Sequence, residues 1–281
     1  ILISAVLNFQ TILFSEGNEL PYIVYLPSYT AIAWYHKKLP ADLQQGSLKN
    51  ALAEAERFAA NEYTLALLKG NDLSAAERRD LGARLSRLTG LSPEYLQQVH
   101  FRPVIHDVVQ ELLHSEGQRA GRLDSRFKGP AGGGNNDDDN FRLDPSYAAI
   151  QGPYTAAFNH YVHEDLEFRS DLPYEILTDR IDPWSFAPLS NRYLNVAEDL
   201  RKAMARNRAL QVFVGAGYYD LATPYFAAEY TFDHLSFEPG TAERVTKAYY
   251  EAGHMMYIRR ADREKLKADL ATFIRKAAGQ S

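Results

Sequence analysis

The sequence predicts an α/β fold in which helices cover both faces of a mostly parallel sheet. Two runs of apolar, β-branched or aromatic residues stand at 210–216 and 245–250, and the part from Leu210 to Val214 is too short for a helix and too continuous for a half-exposed strand. Such runs are typical of strands that are buried on both faces of a parallel sheet. A third run of this kind stands at residues 1–7. Helical patterns separate the three runs, and this alternation favours a parallel sheet with helices on each side.

One titratable side chain follows each of the two later strands. Asp220 comes after the Gly-Ala-Gly-Tyr-Tyr of residues 215–219, and His254 comes after the Glu-Ala-Gly of residues 251–253. Ligands of open α/β sheets bind at the carboxyl ends of the strands, where both side chains are expected. There Asp220 would hold the imidazole of His254 in one tautomer, and His254 would take a proton from a hydroxyl. Each residue alone is more often an ordinary turn residue, but the pair has the chain order of an α/β-hydrolase acid and base.

Two longer stretches resemble the motifs of a known family. Residues 215–224 (Gly-Ala-Gly-Tyr-Tyr-Asp-Leu-Ala-Thr-Pro) and 250–257 (Tyr-Glu-Ala-Gly-His-Met-Met-Tyr) resemble the Asp and His motifs of serine carboxypeptidases of the S10 peptidase family, in a bacterial form. The family commonly has Pro where this chain has Tyr257. The resemblance implies an α/β-hydrolase fold with an inserted helical lid and a Ser-Asp-His triad in which Asp220 is the acid and His254 the base. It further implies peptide substrates cleaved at the C-terminus, no cofactor, acidic working conditions and a secreted or periplasmic location.

The nucleophile of such a triad is not evident in this sequence. An α/β-hydrolase places its serine in Gly-x-Ser-x-Gly or a near variant, and no serine here has glycine on both sides at that spacing. Ser4 falls in the predicted first strand, and Ser47 and Ser86 fall in helical patterns. The resemblance puts the nucleophile, the oxyanion donors and the residues that recognise the terminal carboxylate upstream of Ile1. Three strands are also fewer than the ~4–6 of a usual sheet, so we expect an N-terminal part of the fold that is absent or present as a second chain.

The helical patterns and the resemblance together divide the chain into three parts. Residues 1–29 are expected to form part of the core, residues 30–165 a mainly helical lid, and residues 166–281 the C-terminal part of the core. A separate helical domain is the alternative for the middle part. The signals for helix starts within it are Ser47 as an N-cap, Ser74 with Glu77 as a capping box, and Ser92 followed by Pro93.

The remaining patterns predict further helices and loops. Pro21 and Pro27 are interpreted as breakers between the first strand and the lid. Residues 129–140 are rich in Gly, Asn and Asp and predict a flexible loop. The other predicted elements are a helix from Asp144 to Tyr161, a turn at 182–186, a helix over 191–207, a helix started by Thr223 and Pro224, and a final helix over 261–277.

Composition excludes several classes of function. The 281 residues include 31 basic and 36 acidic side chains and no cysteine. The sequence contains no basic patch of the kind that binds nucleic acid. No apolar run approaches the ~18 residues of a membrane span. The absence of cysteine excludes disulfides and thiolate chemistry. His160 and His163 lack the spacing of the common zinc motif, and the three Asp at 137–139 lack that of a calcium loop.

Two other functions remain open from the sequence alone. Another lidded α/β-hydrolase, such as an esterase, would carry a similar late Asp and His. A non-enzymatic fragment or binding module would keep this part of the fold without a nucleophile. The sequence does not indicate an oligomeric state.

Overall fold

The computed structural model describes residues 1–132, 144–174, 180, 183 and 185–279. Within these residues the chain combines many helices with a small parallel sheet and a separate hairpin. The strands are β1 (Leu2–Ile3), β2 (Gln118–Ala120), β3 (Lys128–Pro130), β4 (Val212–Gly217) and β5 (Val245–Tyr250). The α-helices are α1 (Leu20–Tyr35), α2 (Ala41–Gln44), α3 (Leu48–Phe58), α4 (Thr64–Lys69), α5 (Ala75–Thr89), α6 (Pro93–Gln98), α7 (Ile105–Glu111), α8 (Pro145–His160), α9 (Ala197–Arg206), α10 (Tyr225–Asp233) and α11 (Arg260–Ala277).

Shorter helical segments complete the description. The 3₁₀ helices are Phe9–Thr11, Gly70–Asp72, His114–Glu116, Ala187–Leu189, Ala242–Arg244 and Met256–Ile258, and π-helical turns lie at Ala59–Tyr63 and Tyr161–Asp165. Among the helices described, none is both long enough and apolar enough to cross a membrane.

The parallel sheet has the strand order β1, β4, β5. Strands β4 and β5 pair over their whole length, from Val212 opposite Val245 to Gly217 opposite Tyr250. The predictions of strands at 210–216 and 245–250 are therefore confirmed, but the prediction of burial on both faces holds for β4 and is wrong for β5, of which only Tyr250 is fully buried. The prediction of a strand over 1–7 is wrong beyond β1, because Ser4 has a φ of 47° and turns the chain out of the extended conformation.

Helices cover both faces of this sheet. Side chains alternate along β4, so Val212 and Val214 point to one face and Phe213 to the other. The two valines pack with Met204 of α9 and Phe232 of α10. Phe213 packs against Phe273 of α11, with 5.5 Å between the ring centroids. The α/β class predicted from the sequence is thus present in the described residues.

Helix α1 begins at Leu20, so the interpretation of Pro21 and Pro27 as breakers is wrong. Pro21 lies in the first turn, where no backbone N–H is needed, and Pro27 lies inside the helix. Residues of α1 on every side are buried and contact α3, α5 and α10. This packing outweighs the cost of an interior proline. The expected boundary between residues 29 and 30 falls inside α1, and the division into core and lid stays a prediction.

Local capping signals placed the starts of α3, α5 and α6 correctly. The side chain of Ser47 accepts the N–H of Asn50 at the start of α3, and Ser74 and Glu77 form both bonds of a capping box at α5. Ser92 caps α6 in the same way. Helices α8 and α11 match their predicted ranges within one or two residues, whereas α9 is shorter than the predicted 191–207.

An antiparallel hairpin was not predicted. Strand β3 pairs with β2, with Arg119 opposite Gly129. The prediction of a loop over 129–140 is therefore wrong at its first two residues, because Gly129 and Pro130 belong to β3. Residues 133–140 of that loop, and residues 182 and 184 of the predicted turn at 182–186, lie outside the described residues.

Candidate active site

The ends of β4 and β5 bring Asp220 and His254 together. Each residue follows its strand by a few positions, and Oδ2 of Asp220 lies 2.9 Å from Nδ1 of His254. We call residues 218–223 the acid loop and residues 251–254 the base loop. The two loops also bond to each other, because Tyr219 N donates to Ala252 O at 3.0 Å. Tyr218 N donates at the same distance to Tyr250 O, at the end of β5.

The Asp220 carboxylate is fully buried and fully hydrogen-bonded. Its Oδ1 accepts the backbone N–H groups of Ala222 at 2.7 Å and Thr223 at 2.9 Å. Its Oδ2 accepts the hydroxyl of Thr223 at 2.6 Å and the imidazole of His254. Four donors satisfy both oxygens, which compensates the cost of burying the charge. The acid loop therefore holds this carboxylate in one orientation.

The geometry fixes the tautomer of His254. An ionised carboxylate can only accept, so Nδ1 of His254 carries the proton and Nε2 keeps a lone pair. The Thr223 hydroxyl, which donates to Asp220, lies 3.3 Å from the same Nδ1. The His254 side chain is 32% exposed, and in the part of the chain that the structure describes Nε2 has no hydrogen-bond partner. Nε2 can therefore accept a proton from a substrate or a nucleophile.

Burial and charge act in opposite directions on His254. Burial disfavours the charged imidazolium, but the hydrogen bond and the charge of Asp220 outweigh it and hold the pKa of His254 above its ordinary value of 6.5. The positive charge of the exposed Arg122 acts against this rise. The pKa of His254 is therefore set by burial and by the charge of Arg122, which lower it, and by Asp220, which raises it.

Arg122 provides a direct check on that balance. We expect Arg122→Gln to raise the pKa of His254 further, because the substitution removes a positive charge near the imidazole. An NMR titration of the histidine ring carbons measures it, with His254 assigned through a His254→Gln sample. Arg79→Gln, at an exposed site on α5, is the charge-matched control. A pKa that falls or stays in place in Arg122→Gln contradicts this arrangement.

The glycines beside the two titratable residues are required by close packing. A Cβ at Gly217 would overlap the carbonyl oxygens of Ala252 and Gly253 in the base loop. A Cβ at Gly253 would overlap the carbonyl oxygen of Leu123 and the backbone of Asp124. The small residues of the two sequence motifs thus let three backbone segments meet around Asp220 and His254.

Gly253→Ala tests this requirement. We expect the substitution to lower the free energy of unfolding by more than about 2 kcal/mol, because the overlapped atoms belong to backbone that cannot move aside. Gly152→Ala is the matched control, since nothing lies within 4 Å of its added Cβ and it stands inside α8. It should change stability little, because Pro153 follows it and offsets the usual gain from alanine in a helix. Urea unfolding of both variants decides, and equal midpoints would contradict the close packing.

The prediction that Thr223 caps the following helix is wrong, because α10 begins at Tyr225 without any side-chain cap. The Thr223 hydroxyl bonds to Asp220 instead. Its position three residues after Asp220 was visible in the sequence, but Thr before Pro is so common at helix starts that the cap was the simpler interpretation.

The loop between β2 and β3 reaches both sides of the site. We call residues 121–127 the hairpin loop. Arg122 O accepts the N–H of Leu221 at 3.1 Å, and Leu123 O accepts the N–H of His254 at 2.7 Å. Ser125 donates to Tyr219 O through both its N–H, at 3.0 Å, and its hydroxyl, at 3.1 Å. No sequence motif marked this loop, which lies about 100 positions before the residues it contacts.

Ser4 lies at the carboxyl end of β1, close to the base loop. Its hydroxyl donates to the main-chain oxygen of His254 at 2.7 Å, and its N–H donates to Gly215 O at 2.9 Å. The hydroxyl therefore bonds to the backbone of His254 and not to Nε2. This geometry suits a structural role for Ser4.

Comparison of the chain with protein-family models, with curated proteins and with solved structures finds no match. What the site does must therefore be argued from its own geometry and from the two sequence motifs.

Proposed function

We propose that Asp220 and His254 are the acid and base of a serine hydrolase with an α/β-hydrolase fold. The observation that carries this is the 2.9 Å bond between a fully buried carboxylate and Nδ1 of a partly exposed imidazole whose Nε2 has no hydrogen-bond partner in the described part of the chain. The resemblance of residues 215–224 and 250–257 to S10 motifs narrows the proposal to a serine carboxypeptidase. Such an enzyme releases C-terminal amino acids from peptides.

The chemistry follows from the tautomer of His254. A serine hydroxyl attacks the carbonyl carbon of the last peptide bond while Nε2 of His254 takes its proton. Asp220 stabilises the imidazolium that forms and keeps its ring in place. The imidazolium then protonates the leaving amino acid, and water hydrolyses the acyl-enzyme with His254 again as the base. This sequence of steps uses no metal or organic cofactor.

The proposal places the serine upstream of this chain, in the same polypeptide or in a second chain. Within the described residues, no hydroxyl lies within hydrogen-bonding distance of Nε2 of His254. The positive charge of Arg122 beside His254 suits a substrate that ends in a free carboxylate. A secreted or periplasmic location belongs to the same proposal and rests on the resemblance alone.

A fluorophosphonate probe tests the serine mechanism. We expect the native protein to be labelled once, on a serine upstream of Ile1, and His254→Gln protein to remain unlabelled. Intact mass under denaturing conditions and peptide mapping locate the label. Labelling of a serine within this chain would show that the nucleophile has been misplaced, and no labelling of the full-length protein would refute the serine mechanism.

Substrate choice tests the carboxypeptidase step. We expect a blocked dipeptide with a free C-terminus to be cleaved and the same dipeptide amide to be cleaved far more slowly. A short acyl ester serves as the comparison, because most serine hydrolases cleave activated esters. Cleavage of the ester without any cleavage of the dipeptide would indicate an esterase-like enzyme instead.

The pH dependence of the reaction follows from His254. The base is active as neutral imidazole, which predominates above the pKa, and that pKa lies above 6.5. We therefore expect kcat/KM to fall as the pH is lowered through the pKa of His254. The resemblance implies acidic working conditions, and the environment of His254 argues against them. Rates on a neutral blocked substrate across pH 4–9 decide: full activity at the acid end would contradict the raised pKa.

A further inference from the structure

A buried ion pair lies in the hairpin loop, directly behind the base loop. Arg126 contacts Asp124 through two bonds, Nη2 to Oδ2 at 2.6 Å and Nε to Oδ1 at 2.9 Å. Asp124 is 1% exposed, and the side chain of Arg126 is 11% exposed. Burying such a pair costs desolvation that its attraction does not fully repay. An explanation in terms of stability alone is therefore weak.

The same pair touches both loops that carry the acid and the base. Oδ2 of Asp124 accepts the N–H of Gly253 at 3.3 Å, immediately before His254. Arg126 donates through Nη1 to Glu251 O, which also belongs to the base loop. Its guanidinium carbon stands 5.4 Å from the ring centroid of Tyr219 in the acid loop.

Two other charged residues lie near Arg126, but within the described ranges neither of them links the two loops. Asp262 approaches Nη1 of Arg126 at 4.0 Å and Nη1 of Arg259 at 3.4 Å. Arg259 also donates to Glu251 O at 3.2 Å. Neither Asp262 nor Arg259 bonds to the acid loop or to His254 in the described residues. Arg126 with Asp124 is thus the ionic link that spans both loops.

We propose that Asp124 and Arg126 are positioning residues that set the separation between Asp220 and His254. The proposal rests on the proposed function for its consequence in catalysis. The hairpin loop contacts the base loop at two points: Leu123 O bonds to the N–H of His254, and Asp124 bonds to the N–H of Gly253. It contacts the acid loop through Ser125 and Arg126. Loss of the pair would let the two loops move relative to each other. Small displacements of this kind are costly, because a shift of ~1 Å at a reacting group lowers rates by about 100-fold.

NMR of the whole chain tests positioning without any enzymatic assay. In Asp124→Asn and Arg126→Gln we expect the Nδ1 proton of His254 to lose its far-downfield signal. We also expect the pKa of His254 to fall, since the Asp220 bond that raises it is weakened while burial and Arg122 still lower it. If the pair has only a structural role, the two substitutions should lower the melting temperature and leave the Nδ1 proton signal and the pKa of His254 unchanged.

The control breaks an ion pair at the far end of α1. Arg102 donates to Glu19 at 2.6, 2.9 and 3.1 Å. Glu19 stands at one end of α1, and His36 stands at the other, where its Nε2 lies 2.7 Å from Ser125 O of the hairpin loop. Glu19→Gln should leave the signals of His254 unchanged. Arg126→Lys keeps the charge and loses the forked contact, so it should fold and show part of the same loss.

Kinetics of the full-length protein complete the test. We expect kcat to fall about 10- to 100-fold in Asp124→Asn and Arg126→Gln while KM changes little. If wild-type protein is inactive, the proposed function fails, and the NMR signals still decide on positioning. If wild-type protein is active and folded Asp124→Asn or Arg126→Lys keeps its kcat and the pKa of His254, the positioning role is refuted.

Discussion

Asp220→Asn is expected to lower kcat by about 10⁴-fold while leaving the fold intact. The amide has the shape of the carboxylate but lacks its charge, and an amide NH₂ group directed at Nδ1 would favour the wrong tautomer of His254. With the charge removed, burial and Arg122 remain, and both lower the pKa of His254. The pKa should therefore drop below its ordinary value of 6.5.

Two measurements on one sample separate this effect from unfolding. Steady-state rates at saturating blocked dipeptide give kcat, and circular dichroism with thermal melting reports the fold. Asp80→Asn, an exposed aspartate on α5, controls for the chemical change. Near-normal turnover in folded Asp220→Asn protein would remove Asp220 from the acid role, and with it the central step of the proposed mechanism.

The features that could be predicted from the sequence are those that short stretches determine. Strand β4 is a continuous apolar run, and β5 is rich in β-branched and aromatic residues. Helices α3, α5 and α6 begin at serine caps whose bonds are formed within three residues. Parallel strands end at the same edge of a sheet. The meeting of Asp220 and His254 therefore follows from the strand pattern and was predictable.

The features that could not be predicted depend on contacts between distant segments. Pro27 reads locally as a breaker, but packing on all sides of α1 holds it inside a helix. The hairpin loop lies about 130 residues before His254, and no sequence pattern predicts that Leu123 O accepts the N–H of His254. Gly253 is conspicuous in the sequence, but the reason that glycine is required there is the close approach of Asp124, which only the structure shows.

His254→Gln is expected to have the largest effect, a loss of about 10⁶-fold in kcat. Glutamine fills similar space but cannot take up the proton of a hydroxyl, and removal of the histidine from a comparable triad costs an amount of this order. The residual rate should come from binding and from whatever stabilises the oxyanion. Probe labelling should disappear in parallel, because both reactions require the same activated hydroxyl.

The double variant Asp220→Asn/His254→Gln shows whether the two residues act as one unit. Asp220 acts only through the imidazole to which it bonds at 2.9 Å, so its loss should matter little once His254 is gone. We expect the double variant to be no slower than His254→Gln alone, whereas independent contributions would multiply to about 10¹⁰-fold. A double variant that is clearly slower than His254→Gln would mean that Asp220 serves the reaction by a route other than His254. The bond between them would then be structural, and another residue would have to be the acid partner of the nucleophile.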